Sequence, residues 1–471
     1  MSPLAFIHDL RFADLPGEVA HQARRCLLDL VGVAVAGRQT ELSRIVHGFA
    51  IRQMGASQGD ARLGGARLIF DGRRASAAGA AFAGASTIDS FDAHDGHPLT
   101  KGHAGVAILP ALLAVADAEG LIAADGLDGG ELLTALVVGY EIAIRAGIAL
   151  HSSVADYHTS GAWNALGCVS VAARLLKLDR GTTRHALGIA EYHGPRSQMM
   201  RCIDHPTMLK DGSGWGAFAG VSAAYLAQDG FTGAPAITLE APDQVDLWSD
   251  LGLRWRILEQ YVKPYPVCRW AQPAVEAAAS LVARHGIAPQ SIAGVEVETF
   301  LAAVKLGTAV PTTTEAAQYA LGFPLAAFLV HGRLGAAEIG PAGLADPAIA
   351  AMIGKIALSE REDLSRAFPA RRLARVKITL VSGDVLISEV TSARGDASEP
   401  LSDAELIAKF HTLGDGCDAR AWRLLAETCM QPDVGGLRLA EALTLILADF
   451  QNAGAAQPTL GLGGSAVGEL T

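Results

Sequence analysis

The sequence predicts a mainly α protein in which a large all-helical domain is joined to a smaller α+β domain, and three observations carry that prediction. Apolar residues make up 50% of the 471 residues and charged residues only 18%. That is the composition of a packed core rather than of a disordered chain. Up to about residue 265, apolar side chains recur at three- and four-residue spacing between short loops rich in Gly, Asp and Pro. From Pro266 onward a second pattern begins, with Val- and Thr-rich segments of partial alternation. The length accommodates two or three domains at about 150 residues each.

In chain order, the helical period covers Glu18–Ala36, Gly105–Ala118, Gly130–His151, Gly161–Leu176 and Gly216–Gln228. Their many Ala and Gly residues let helix axes approach closely. Gln272–His285 and Gln318–Val330 are helical stretches inside the second region. Gly294–Leu306 and Arg375–Arg394 read as strands, the latter as two around Ser382-Gly383-Asp384, which implies an antiparallel sheet. In SEPLSDAELIAKF, Ser402 and Asp403 are cap candidates with Glu405 in the first turn, and helix resumes from there to about Asn452. The domains are therefore 1–265 with 396–455 (all-helical) and 266–395 (α+β), and the Gly-rich stretch 456–471 is expected to be a flexible tail.

Charge and hydropathy exclude several classes. The net charge of −11 and the absence of a Lys/Arg block argue against nucleic acid or an anionic membrane as partner. Mean hydropathy is +0.27, yet the long apolar stretch Leu132–His151 carries Tyr140, Glu141 and Arg145, so a buried helix fits it better than a membrane span. The N-terminus shows neither a basic segment nor a small-residue cleavage site, which leads to the expectation of a cytoplasmic protein. Six scattered cysteines without a C-x-x-C pair read as reduced thiols.

Chemistry concentrates in Asp89–Gly105, DSFDAHDGHPLTKGHAG, which places Asp89, Asp92, His94, Asp95, His97, Lys101 and His103 in one loop between two Ala-rich helices. Asp92, His94 or His97, and His103 could ligate a divalent ion, but no helical His pair supports it and no metal is expected. In the acid/base reading, a neutral His103 takes a proton from carbon and Lys101 anchors a carboxylate. A second segment, DYHTSGA, holds Tyr157 and His158 before a helix that Thr159 or Ser160 could cap, leaving amides for an anion. A third, GPRSQMMRCIDHPTMLKDGSGW, supplies Arg196, Arg201, His205 and Lys210, and KPYPVCRW adds Lys263, Tyr265 and Arg269 at the junction of the two patterns. No phosphate loop occurs.

These segments in this order resemble the MmgE/PrpD family over nearly the whole chain: the Asp/His loop with GHAGVAILPALLA, then GYEIAIRAGIAL, DYHTSGAWNALGCVSVAARLLKLD, MLKDGSGWGAFAGVSAAYLAQDGFTG, VKPYPVCRWAQPAVEAA and GDASEPLSDAELIAKF. The resemblance implies a helical domain plus an α+β domain, a homodimer, and chemistry on small di- or tricarboxylates through a carbanion beside a carboxylate, without a cofactor. It implies catalytic roles for Asp92, His103, His158 and Lys210, with Lys263 at the cleft. Lys101, Tyr157, Arg196, Arg201, Arg269 and His97 are then expected to bind substrate. Two departures stand out. Lys210 is followed by Asp211, Gly212 and Ser213 where many members read K-R-L-H-x-G, and Phe323 stands where several carry a Tyr. With those acids missing, the expectation leans to an epimerase of the iminodisuccinate type. A dehydratase of a 2-methylcitrate-like hydroxy acid, a decarboxylase, and a carboxylate-binding protein without activity are the alternatives.

Overall fold

The computed structural model describes residues 1–56, 65–122, 126–414, 417–431 and 437–449. The stretch expected to form a flexible tail, 456–471, lies outside them.

The helical part is built from α1 (Gly17–Arg38), α2 (Ala77–Asp89), α3 (Gly105–Ala118), α4 (Gly129–Ser153), α5 (Gly161–Leu175), α6 (Arg180–His193) and α7 (Ser213–Gln228). Helix α3 is buried along nearly its whole length, and α4, α5 and α7 pack around it. The abundance of glycine has a local cause here. A Cβ at Gly139 would enter the Ile108 side chain, and one at Gly220 would meet the Ala165 backbone, so axes come closer than larger residues allow. Helix α4 is the one described helix long and apolar enough to cross a membrane, and it is the buried centre of the bundle. Its Arg145 pairs with Glu141 and Asp250 and donates to the Leu247 and Arg254 carbonyls. The charges read from sequence as evidence of burial thus tie residues 247–254 to the core.

Gly188 on α6 provides a test of this packing. Ala in a helix is normally favoured by about 1 kcal/mol, but a Cβ here would run into the Ala234 carbonyl, which is backbone and cannot rotate away. Gly188→Ala is expected to cost about 1–3 kcal/mol, read as a lower denaturation midpoint. A gain in stability would show that the two segments can move apart.

The second region contributes α8 (Gln272–His285), α9 (Gly322–His331) and a sheet of β1 (Ile292–Thr299), β2 (Ile356–Glu360), β3 (Leu373–Leu380), β4 (Val385–Ile387) and β5 (Thr391–Ser392). The order is β2-β1-β3-β4, with β5 also on β3. Strands β1 and β3 are antiparallel, with Val297 opposite Val376. The sheet is mixed rather than antiparallel, because β1 and β2 run parallel through a helical crossover. The strand expected to reach Leu306 stops at Thr299, where the chain turns into the short helix Leu301–Val304. Helix α8 covers the sheet.

Helices α10 (Asp403–Leu413) and α11 (Ala419–Met430) return to α1. Ser402, not Asp403, caps α10, in a reciprocal box with Glu405. Asp403 instead pairs with Arg25 of α1. On α10, Lys409 donates to Asp29 at 2.6 Å and to the Ala93 carbonyl at 2.7 Å, so the C-terminal segment grips the Asp/His loop.

Candidate active site

The loop between α2 and α3 is fixed at many points, which makes it a platform rather than a mobile connection. Gly96 and Tyr261 exchange backbone hydrogen bonds at 3.0 and 2.8 Å, and His97 N–H donates to Gly102 O at 2.9 Å. His103 N–H donates to Ser160 Oγ at 2.9 Å. Position 96 has to be glycine, since a Cβ would strike the Tyr261 hydroxyl and lie 2.7 Å from His103 Nδ1. Ser160 does not cap α5 as expected, because its hydroxyl donates to Asp211 Oδ2, while the Asp211 carbonyl accepts from Gly161 N–H.

His103 is the best-defined group of the site. Its Nδ1 is 2.6 Å from the Asp95 carbonyl oxygen, which can only accept, so Nδ1 carries the proton and Nε2 presents a lone pair. That Nε2 lies 4.0 Å from Asp211 Oδ2. Burial, reinforced by Lys263, lowers the His103 pKa to about 3 and keeps the ring neutral. The His94 ring meets it edge-on at 4.4 Å, and buried His94 Nε2 has no partner.

Two lysines surround this pair. Lys263 Nζ bonds Asp92 Oδ1 at 2.7 Å, both buried. Burial alone would raise Asp92, but Lys263 and Lys210 hold it well below the usual carboxylate range. Lys210 Nζ donates to Gln318 Oε1 at 2.8 Å and lies 4.6 Å over the Tyr319 ring. The same Gln318 oxygen accepts from Asp92 N–H at 2.9 Å. Lys210 sits at φ 48°, before Gly212 at φ 68°, a turn that directs its chain inward at a cost in backbone strain. Asp92, His94 and His103 could bring ligand atoms within 4.8 Å of one another. Their chemistry fits a cation poorly, because Lys263 already occupies Asp92 and Lys210 stands beside it; the local charge suits an anion.

Asp211 and Asp89 form a second buried group. Asp89 Oδ2 accepts from Asp211 N–H at 3.3 Å and Ser213 N–H at 3.4 Å. Burial and mutual repulsion raise both carboxyls, so they resist ionising together. Two backbone donors and nearby Lys210 favour the ionised form of Asp89, whereas burial and the neighbouring Asp89 raise the Asp211 carboxyl to about 7.

Asp95 lies behind the loop, its carboxyl accepting from Tyr140 Oη at 2.7 Å while burial pushes it up to about 7. A carboxyl raised from 3.8 contributes stability that is fully present below the unfolded value and is lost as pH rises through 7. Asp95→Asn has no such titration. Its midpoint should therefore gain on the wild type as pH rises from 5 to 8; parallel pH curves would contradict the assignment.

The family model described as the MmgE/PrpD N-terminal domain matches residues 4–247, and that of the MmgE/PrpD C-terminal domain matches residues 265–430. The chain belongs to the MmgE/PrpD family. A curated relative, the cis-aconitate decarboxylase-like protein oryM of Aspergillus oryzae (strain ATCC 42149 / RIB 40), is 24% identical over 242 residues. The match takes in 48% of this chain and 46% of the relative, so it spans about half the length of each.

Of the residues singled out from sequence, this MmgE/PrpD chain gathers Asp92, His103, Lys210 and Lys263 into one buried site. His158 N–H donates to His151 Nε2 at 3.2 Å and its Nδ1 is buried without a hydrogen-bond partner, and no hydrogen bond or ring contact among the described residues joins it to His103. The ring facing His103 is His94. His97 is buried but occupied, with Nε2–H donating to Glu259 at 3.2 Å and Nδ1 accepting from Leu99 N–H. Arg269 is also spent, on the Ala393 and Arg394 carbonyls, Gln272 and Asp396. Arg196 and Arg201 lie in solvent. Tyr157 uses its hydroxyl on the Lys101 carbonyl, and the Lys101 ammonium lies 4.1 Å over its ring. Sequence reasoning missed Gln318, Tyr319, Asp211 and Arg372. Phe323 is plain core, 1% exposed, and Tyr319, in the turn before α9, brings its ring under Lys210.

Proposed function

We propose that this protein is a cofactor-independent enzyme that removes the proton α to a carboxylate of a small di- or tricarboxylate, with His103 Nε2 as the base. The observation that carries the reading is the 2.6 Å bond from His103 Nδ1 to the Asp95 carbonyl, in a pocket of two lysines. It fixes a neutral imidazole with its Nε2 lone pair free, the state required to accept a proton from carbon. Lys210, which bonds the neutral Gln318 amide and no carboxylate among the described residues, is the charge available to a substrate carboxylate and to the enolate formed from it. A preorganised donor of this kind contributes about 3–4 kcal/mol to such a step.

Elimination of a β-hydroxyl is the outcome that this set of groups favours. The Asp211 carboxyl, raised by burial and by Asp89, lies 4.0 Å from the base and is placed to hand a proton to a departing hydroxyl, and the Tyr319 ring lies under Lys210. Acid and base so close share one side of the substrate, as in the syn loss of water. The lean to an epimerase rested on missing acids and on His158 opposing His103; Asp211 is a candidate acid beside the base, and no contact among the described residues pairs His158 with His103. Epimerisation remains the second reading because buried, unpartnered His94 Nε2 offers a second imidazole lone pair beside His103, as a two-base exchange at carbon requires.

A panel of β-hydroxy di- and tricarboxylic acids separates these readings. Growth of the ultraviolet absorbance of a conjugated alkene supports elimination. Inverted configuration without alkene supports the epimerase, and binding without either change removes the enzyme reading in favour of a carboxylate-binding protein.

A further inference from the structure

Arg372 immediately precedes β3 and is 2% exposed, among the largest fully buried side chains of the molecule. Its guanidinium donates a single long hydrogen bond, Nη2 to the Pro98 carbonyl at 3.4 Å, and its Nε is buried without a partner. Among the described residues it has no ion pair. The contrast with Arg269 is direct. Both guanidiniums lie over the Tyr261 ring, at 5.0 and 5.3 Å, but Arg269 makes four hydrogen bonds, one of them to Asp396. A buried arginine without an acid is costly and is retained where something else supplies the anion.

A second cation stands at the same place. The Pro98 carbonyl that receives Arg372 also accepts from Lys101 N–H at 3.3 Å. Lys101 is at φ 51°, off the usual range for a side chain, and its ammonium lies over Tyr157 with no carboxylate partner among the described residues. Burial and the neighbouring Arg372 both disfavour its charge. Glu259, which reaches the loop through His97, is already committed to Arg254 and Arg256. Buried Arg372 and half-buried Lys101 thus stand near enough to repel each other, each over an aromatic face and neither with a carboxylate partner among the described residues.

We propose that Arg372 and Lys101 form a carboxylate subsite that binds the end of the substrate remote from His103 and so selects for a polycarboxylate. This rests on the reading of the site as one for di- or tricarboxylates. Arginine suits the task because its fork can take both oxygens of a carboxylate. Since Arg372 comes from the sheet and Lys101 from the helical loop, a bound carboxylate bridges the two.

Thermal melts with propane-1,2,3-tricarboxylate, glutarate and butyrate as inert probes test the subsite without any turnover. The wild type should be stabilised by the tricarboxylate more than by glutarate, and least by butyrate. In Arg372→Met the ligand-free protein should melt at or above the wild-type temperature, since an unpaired buried charge is gone. Its affinity for the tricarboxylate should fall about 10- to 100-fold, and its preference over butyrate should vanish; Arg372→Lys should recover part of it. The proposal is overturned if Arg372→Met melts lower while keeping the ligand-induced shift, which is the behaviour of a structural arginine. It is equally overturned if no polycarboxylate stabilises the wild type. Failure of the α-proton chemistry would leave these binding results unchanged, so the two can be told apart.

Discussion

His103→Gln should lower the rate of α-proton removal by about 10²- to 10⁴-fold, the usual weight of a positioned base, while leaving the fold intact. Glutamine can still donate to the Asp95 carbonyl, so the loop keeps its shape; what disappears is the lone pair. The same group predicts a pH signature. Burial, then Lys263, lowers the folded pKa of His103 from 6.5 to about 3. The unfolded chain therefore takes up a proton below pH 6.5 that the folded protein refuses, and stability falls with acidity over that interval. The glutamine variant lacks this term, so it should lose less stability than the wild type between pH 7 and pH 4. A base already neutral at pH 5 also leaves no acid limb in the rate near pH 6. Full activity of His103→Gln would remove it from the mechanism.

Breaking the Asp92–Lys263 pair should produce the largest change in stability. The two groups are 2.7 Å apart, with side chains only 2% and 1% exposed, so removing either strands the other in a low-dielectric interior. Lys263→Met or Asp92→Leu alone should cost about 3–5 kcal/mol. The double variant should recover much of that cost, because it leaves no uncompensated charge, although His103 would then lack its cationic surroundings. Denaturation midpoints of the four proteins give the coupling directly. Single variants that cost under about 1 kcal/mol, the range of exposed ion pairs, would mean that water reaches the pair.

Much of the fold was legible because its signals are local. The three- and four-residue spacing of small apolar residues marked α3, α4 and α5 to within a few residues, and Ser402 with Glu405 marked the start of α10. The parallel pairing of β1 with β2 was not legible, since alternation shows a strand and not its neighbour. At the site, residue type located the loop but could not say which groups were already satisfied. His97 and Arg269 looked like ligands and proved to be internally bonded. Asp211 stood in the sequence only as a departure from the family's pattern, and its carboxyl lies 4.0 Å from His103 Nε2. Gln318, in the mostly apolar EAAQYALGF, hinted that this stretch turns a polar edge toward the site; it joins Lys210 to Asp92. Arg372 left no trace in sequence, because its meaning lies in the partner it lacks.

The account turns on proton abstraction from carbon, and exchange with solvent measures that step whichever product follows. The protein should be incubated in D₂O with a panel of small hydroxy- and amino-di- and tricarboxylates and followed by proton NMR. The account predicts that at least one acid loses its α-proton signal to deuterium with the wild type, and not with His103→Gln. Exchange equal in both proteins, or turnover of a substrate whose α-proton is retained, would contradict it.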